Sequence, residues 1–275
     1  MRAKDRRFFS SQLKDIREIG LDVSIDEGGM LRIGEHEVHV WYAFPEKCFS
    51  PLLQKYYLSL LSNKELERYL RFARDELKAE YLLTRALCRT VLSKYSDLLP
   101  ESWEFEVGHY GKPRLSGKYA ESKLSFNMSN SPGLVAMVVA RSNDGIGIDV
   151  EFVGRSLPIM SIAEATFSSF ELADLKLKRG AALKDRFFDV WVLKEAYVKA
   201  LGLGLSMPTK EFSVVFDGDR VGISFNELML HCQQCQFWLH PVDERHRLGV
   251  CVLVPGGRAV EMRIGETIPG EGERL

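Results

Sequence analysis

At 275 residues, with 45% hydrophobic and 27% charged side chains, the chain is long enough to bury a sizeable core and too apolar to read as disordered. A formal net charge of −1 gives it no global field toward nucleic acid or a membrane, so any recognition of phosphate has to be local. Five cysteines, an odd count in a chain this large, argue against a disulfide framework.

Residues 1–30 mix both charge signs, lack the apolar core of a signal peptide and end in Gly28-Gly29; they read as a helical or loose extension. No run reaches membrane-spanning length, and the expected location is the cytoplasm. A strand is expected over 35–44, where Val38, Val40 and Tyr42 alternate with His39 and Trp41. Ser62-Asn63-Lys64-Glu65 has the form of a capping box and predicts a helix carrying Leu66, Leu70 and Leu77, continued by an amphipathic segment over 78–95. Residues 108–115 read as a turn, and 124–140 as two short strands around a turn at 129–133. The polar break Ser142-Asn143-Asp144-Gly145 is the expected boundary between two halves, 1–143 and 144–275.

The second half repeats the order of the first. A strand over 146–152 leads to a capping box at Ser168-Ser169-Phe170-Glu171 and a helix over 186–201, which Gly202 and Gly204 end. Strands over 212–215, 236–240 and 248–254 precede a glycine-rich tail. Residues 81–89 can be laid on 191–199 without a gap, so that Ala86 matches Ala196 and Arg89 matches Lys199. The expectation is an α+β fold of two similar, pseudo-duplicated halves, with the active site in a cleft between them. Cys232 and Cys235 form one C-x-x-C beside His231; with no second such pair they read as strand cysteines rather than zinc ligands.

Chemistry concentrates in two stretches. On the helix over 186–201, Phe187, Phe188, Trp191 and Val198 share a face, and at about 100° per residue Glu195 falls between Trp191 and Phe188 with Lys199 one turn on. An ionised carboxylate in such an arc is costly unless a cation or donors meet it. The plainer alternative, a Glu-Lys pair on a solvated flank, stays open. In Gly145-Ile146-Gly147-Ile148-Asp149-Val150-Glu151 the isoleucines and Val150 point one way and the two acids the other, roughly 7 Å apart, with a repulsion of about 2 kcal/mol at an effective dielectric near 20. Two acids on the wet face of an edge strand would look the same. With Glu195 as a third oxygen ligand, magnesium is the counter-charge that suits them best.

Arg71, Arg74, Lys78, Arg85 and Arg89 fall within about 40° of one line if 63–95 is a single helix, a stripe of about 27 Å that either holds phosphates or faces solvent. Lys112 in the Gly111-Lys112-Pro113 turn adds another cation. Ser129, Asn130 and Ser131 before Gly133 offer hydroxyl, amide and backbone N–H groups of the kind that bind phosphate oxygens.

GIGIDVE at 145–151 and WVLKEAYVKALGLGLSMP at 191–208, with GKP at 111–113 and FNMSNS at 126–131, resemble in order and separation the motifs of the 4′-phosphopantetheinyl transferases of the surfactin-synthetase-activating type. The likeness extends over about residues 41–254. It implies coenzyme A bound where two similar α+β halves meet. The phosphopantetheine arm would pass to a serine of an apo acyl or peptidyl carrier protein with magnesium, releasing adenosine 3′,5′-bisphosphate. By that resemblance Asp149, Glu151 and Glu195 hold the metal, Glu195 or a bound water takes the serine proton, and Lys199 pairs with the phosphate attacked. Arg71, Arg85, Lys112, Ser129 and Asn130 hold the 3′-phosphate and the rest of the nucleotide. Asn130 stands where the family usually carries histidine; it donates a hydrogen bond but cannot become a cation, so a weaker contact is expected.

A monomer is expected, with neither nucleic acid nor membrane as partner. The basic run Lys176, Lys178, Arg179, Lys184 and Arg186 either steers an acidic carrier or is a solvated loop. Two other functions fit the same acids and cations: a magnesium-dependent hydrolase of a nucleotide diphosphate, and a non-catalytic module that binds coenzyme A or a carrier protein. The presence of Asp149, Glu151, Glu195 and Lys199 together argues against the second.

Overall fold

The computed structural model describes residues 25, 29–108, 111–143, 145–204, 207–218, 220–225, 234–254 and 256–271. Most of the expected N-terminal extension, and His231 and Cys232 of the C-x-x-C, lie outside them. The described chain forms two units. One takes residues up to Glu106, Arg114–Ser142 and everything from Glu261 on; the other takes Val107–Pro113 and Asn143–Val260.

In the first unit β1 (Glu37–Ala43) is followed by α1 (Pro45–Cys48), α2 (Pro51–Leu60), α3 (Asn63–Arg71) and α4 (Asp75–Ser93). Then come the short strands β2 (Phe105–Val107) and β3 (Pro113–Leu115) and the pair β4 (Leu124–Ser131) and β5 (Leu134–Arg141). The last strand of the chain, β11 (Glu261–Glu266), returns to run parallel to β1, giving the sheet order β11-β1-β5-β4. A division at 143/144 places that strand with the other half. Its pairing with β1 joins residues more than two hundred apart, and no local pattern announces it.

Helix α4 lies on β5 and β4 and supplies the core residues Leu82, Leu83, Ala86 and Leu87. The capping box at Ser62 forms: the Glu65 N–H donates to Ser62 Oγ and the Ser62 N–H to Glu65 Oε2. The helix it starts does not continue to residue 95, however. Phe72 and Arg74 are extended, with ψ of 130° and 133°, and α3 ends before α4 begins. Leu66 and Leu70 project from α3 into solvent rather than into the core. The five-cation stripe over 71–89 is therefore divided between two helices. Without Gly or Pro at Phe72-Ala73-Arg74 to signal a break, two amphipathic helices in series read as one.

The second unit contains β6 (Ile146–Phe152), α5 (Ile159–Thr166), α6 (Ser169–Lys176), α7 (Gly180–Leu201), the hairpin β7 (Phe212–Asp217) and β8 (Arg220–Phe225), β9 (Cys235–Pro241) and β10 (His246–Leu253). Strands β6, β10 and β9 form an antiparallel sheet in that order, with β6 at its edge. Helix α7 begins at Gly180 rather than 186 and ends where expected, at Gly202 with φ 68°. It is buried on almost every side, at Phe187, Phe188, Val192, Leu193, Ala196 and Tyr197, as befits a central helix.

Two glycines bring α7 down onto the sheet. A Cβ on Gly147 would lie 2.0 Å from the Ala196 carbonyl oxygen, and one on Gly249 would lie 2.7 Å from that of Val192. Gly147, Asp149 and Glu151 share a face of β6. The close approach therefore sets α7 on the face that carries the two acids, while Ile146, Ile148 and Val150 are buried on the other.

Both units thus consist of a long helix laid on antiparallel strands, and the fold class is α+β. No helix among the described residues is long and apolar enough to cross a membrane.

Candidate active site

The site is built on the outer edge and helix-covered face of β6. The Leu253 N–H on β10 donates to the Gly145 carbonyl, so in an antiparallel ladder the carbonyls of Ile146 and Ile148 point to the opposite edge. Two ammonium groups meet them there. Lys112 Nζ donates to the Ile146 oxygen at 2.9 Å, and Lys199 Nζ donates to the Ile148 oxygen at 3.1 Å and to Asp149 Oδ1 at 2.7 Å. Lys112 comes from the turn between β2 and β3, where Gly111 takes φ 87°.

Asp149 is only 6% exposed, which rules out the wet face of an edge strand for this acid. Glu151 accepts from Arg155, four residues on, and from the Trp191 indole of α7. Burial, and then the charge of Asp149, push the Glu151 carboxyl up to about 7. The same two causes, in the same order, raise Glu195, with Lys199 opposing them. Each shift shows carboxylates near enough to repel one another in a partly dry setting.

Trp191, Glu195 and Lys199 follow one another at intervals of four, so one row of α7 faces one row of β6. Glu195 is half-buried, not on a solvated flank. Asp149 and the two carboxyls that feel its charge, Glu151 and Glu195, with the Lys199 ammonium among them, are a donor set that fits a hard divalent cation. As the side chains stand, no three His, Cys, Asp or Glu among the described residues are arranged to hold a metal ion. Asp149 is engaged by Lys199 and Glu151 by Arg155.

The remaining candidates lie in the first unit. Ser129 and Asn130 are near the end of β4, before Gly133 with φ 88°; Ser129 is buried, and Asn130 Nδ2 donates to Glu80 Oε2 of α4 at 3.3 Å. Arg85 reaches Met128 of β4, so α4 and β4 bring Arg85 to the face that carries Met128 and Asn130, whereas strand alternation puts Ser129 on the opposite face. Its guanidinium also meets Glu65 at 3.3 Å. Arg89, once part of the supposed stripe, is 2% exposed and donates to Glu65 and to the carbonyls of Pro100 and Trp103. Arg71 stands apart on α3, exposed and 3.6 Å from Glu67. In the basic run, Lys178 and Arg186 share Asp174, and Arg179 donates to the carbonyls of Lys176 and Lys178.

Reading the sequence missed one pair next to the site. Lys194, adjoining Glu195, is 3% exposed and bonded to Glu171, whose side chain is fully buried. Glu171 was legible as a capping residue, and its N–H does bond Ser168 Oγ. Its second role needed the β7 strand, which brings the Val214 N–H and Phe212 carbonyl to the same point.

Comparison with known proteins supports a common reading. A family model described as the 4′-phosphopantetheinyl transferase superfamily matches residues 145–251. The chain is 33% identical over 200 residues to 4′-phosphopantetheinyl transferase ffp of Bacillus subtilis, covering 72% of this chain and 84% of that one. It is 32% identical over 201 residues to 4′-phosphopantetheinyl transferase Sfp of Bacillus subtilis (strain 168), covering 72% and 85%. It is 32% identical over 170 residues to 4′-phosphopantetheinyl transferase HetI of Nostoc sp. (strain PCC 7120), covering 62% and 70%.

Proposed function

This chain belongs to the 4′-phosphopantetheinyl transferase family, and from that premise we propose that it moves the phosphopantetheine arm of coenzyme A to a serine of an apo acyl or peptidyl carrier protein in a magnesium-dependent reaction, releasing adenosine 3′,5′-bisphosphate. The observation that carries this reading is the meeting of β6 and α7, with Lys199 bonded to Asp149 at 2.7 Å beside two carboxyls raised by burial and by Asp149.

Phosphoryl transfer depends mainly on positioning and on neutralising charge on the phosphate oxygens. Lys199 supplies a fixed ammonium for the phosphate that the serine attacks, already oriented by Asp149 and the Ile148 carbonyl. Asp149, Glu151 and Glu195 are the residues that would hold magnesium, which when bound supplies positive charge to the diphosphate oxygens. Glu195, raised above the ordinary glutamate range by burial, is better matched than an exposed glutamate to accept the serine proton directly or through a water. Lys112 of one unit, and Ser129, Asn130, Arg85 and Arg71 of the other, are proposed as the residues that hold the nucleotide's phosphates. For Asn130 the neighbouring Glu80 carboxylate weakens rather than strengthens an anion contact.

The test is incubation of the full chain with coenzyme A, magnesium and an apo-carrier, followed by mass spectrometry of the carrier. The expected result is a mass gain of one phosphopantetheine arm that disappears when the metal is chelated. Bisphosphate release without any carrier would identify a hydrolase instead, and binding of coenzyme A with no product of either kind would leave only a binding module.

A further inference from the structure

We infer that the buried Lys194–Glu171 pair positions the reaction centre, locking α7 in the one rotation that presents Glu195 and Lys199 to β6; this rests on the reading of the site given above. The Lys194 ammonium places all three of its protons, on Glu171 Oε1 at 2.9 Å, Glu171 Oε2 at 2.7 Å and the Phe212 carbonyl at 2.7 Å. Glu171 accepts two more bonds, from the Val214 N–H at 2.7 Å and the Ser168 N–H at 2.8 Å. With side chains 3% and 0% exposed, the pair ties α7, the start of α6 and β7 together at one point.

Two arguments assign this knot a positional role. A buried ion pair is a weak source of stability compared with apolar residues of the same volume, so its presence points to geometry rather than to strength. The contact of α7 with the sheet beneath it also separates height from rotation. At Gly147 and Gly249 the helix backbone meets strand backbone, which fixes how closely α7 approaches. Beside them Phe237, Cys251 and Leu253 pack in one cluster with Val192, Leu193 and Ala196 of α7; such apolar contacts are non-directional, whereas the three hydrogen bonds of Lys194 have fixed directions.

Lys194 immediately precedes Glu195, about 100° around the helix from the row of Trp191, Glu195 and Lys199. A rotation of about 20° would move a group about 6 Å from the axis by about 2 Å. That is enough to break the bond between Lys199 and Asp149, whose length is 2.7 Å. Misplacements of about 1 Å at a reacting centre are associated with losses of about a hundredfold in rate.

The experiment compares the full-length protein with the double variant Glu171→Gln/Lys194→Met, which removes both charges and retains an acceptor for the Val214 N–H. Carrier modification is followed with coenzyme A and apo-carrier, and folding by circular dichroism and thermal melting. A cooperative melt, kcat lower by about ten- to a hundredfold and a coenzyme A KM within about threefold of the parent are expected. A folded double variant with kcat within about twofold of the parent, or with only KM changed, overturns the inference. Should the double variant lose its cooperative melt, Lys194→Arg is used. It keeps the charge but replaces a tripod of donors with a planar fork, and the same split is expected; full activity in that variant overturns the inference. An inactive parent protein would count against the assigned reaction, not against the lock.

Discussion

Glu65 takes part in three interactions at once: the capping box at Ser62, Arg85 at 3.3 Å and Arg89 at 2.6 Å. Burial pushes its carboxyl up, but Arg89, the Ser62 N–H and Arg85 more than reverse this and hold it below the ordinary glutamate range. A carboxyl lowered on folding contributes stability in full above its unfolded value, near 4.3, and loses it as pH falls through the folded value. Glu65→Gln, which leaves Arg89 buried without its carboxylate, should destabilise the protein by about 2 kcal/mol near neutral pH. The gap between parent and variant in urea unfolding should narrow below about pH 4. A gap that stays constant down to about pH 3 would show that the ionised form of Glu65 does not matter.

The acids and lysine of the site were legible residue by residue. Strand alternation puts Asp149 and Glu151 on one side, and the helical period puts Lys199 one turn from Glu195. Lys194 was not legible, because a charged residue between Leu193 and Glu195 gives no hint that it is buried.

At the scale of elements, the contact between α7 and β6 depends on Gly147. An alanine methyl there would stand 2.0 Å from the Ala196 carbonyl and 2.5 Å from the Ala200 nitrogen, both backbone atoms that cannot move aside alone. Gly147→Ala should cost about 3 kcal/mol in chemical denaturation and lower turnover with it, since lifting α7 carries Glu195 and Lys199 away from Asp149. Gly117, with nothing within 4 Å of an added Cβ, is the control and should tolerate alanine. Equal stability of the two variants would mean that α7 does not rest on that glycine.

Elements whose ends carry a chemical mark were readable: the capping boxes at Ser62 and Ser168, and the left-handed Gly202. Helix α2 carries such a mark too, with Ser50 capping and Pro51 in its first turn, and it went unused. The break after α3 carries none.

The whole chain joins local motifs with pairings that only the folded molecule shows. Strand β11 lies parallel to β1, and β2 to β3 lends Lys112 to the unit that holds Asp149. Neither follows from hydrophobic period, whereas the family and its reaction followed from short motifs whose chemistry is local. With a net charge of −1 the molecule has little overall field for an anion, and under the proposed reading the attraction of coenzyme A falls to the lysines at the β6 edge, at short range.

The central claim is that acids from β6 and α7 act as one reaction centre. Its most direct measurement is the rate of carrier modification by Glu195→Gln, with circular dichroism and coenzyme A affinity measured in parallel. The predicted result is turnover lower by about a hundredfold or more in a protein that still folds and still binds coenzyme A within about threefold of the parent. Turnover equal to that of the parent would contradict it.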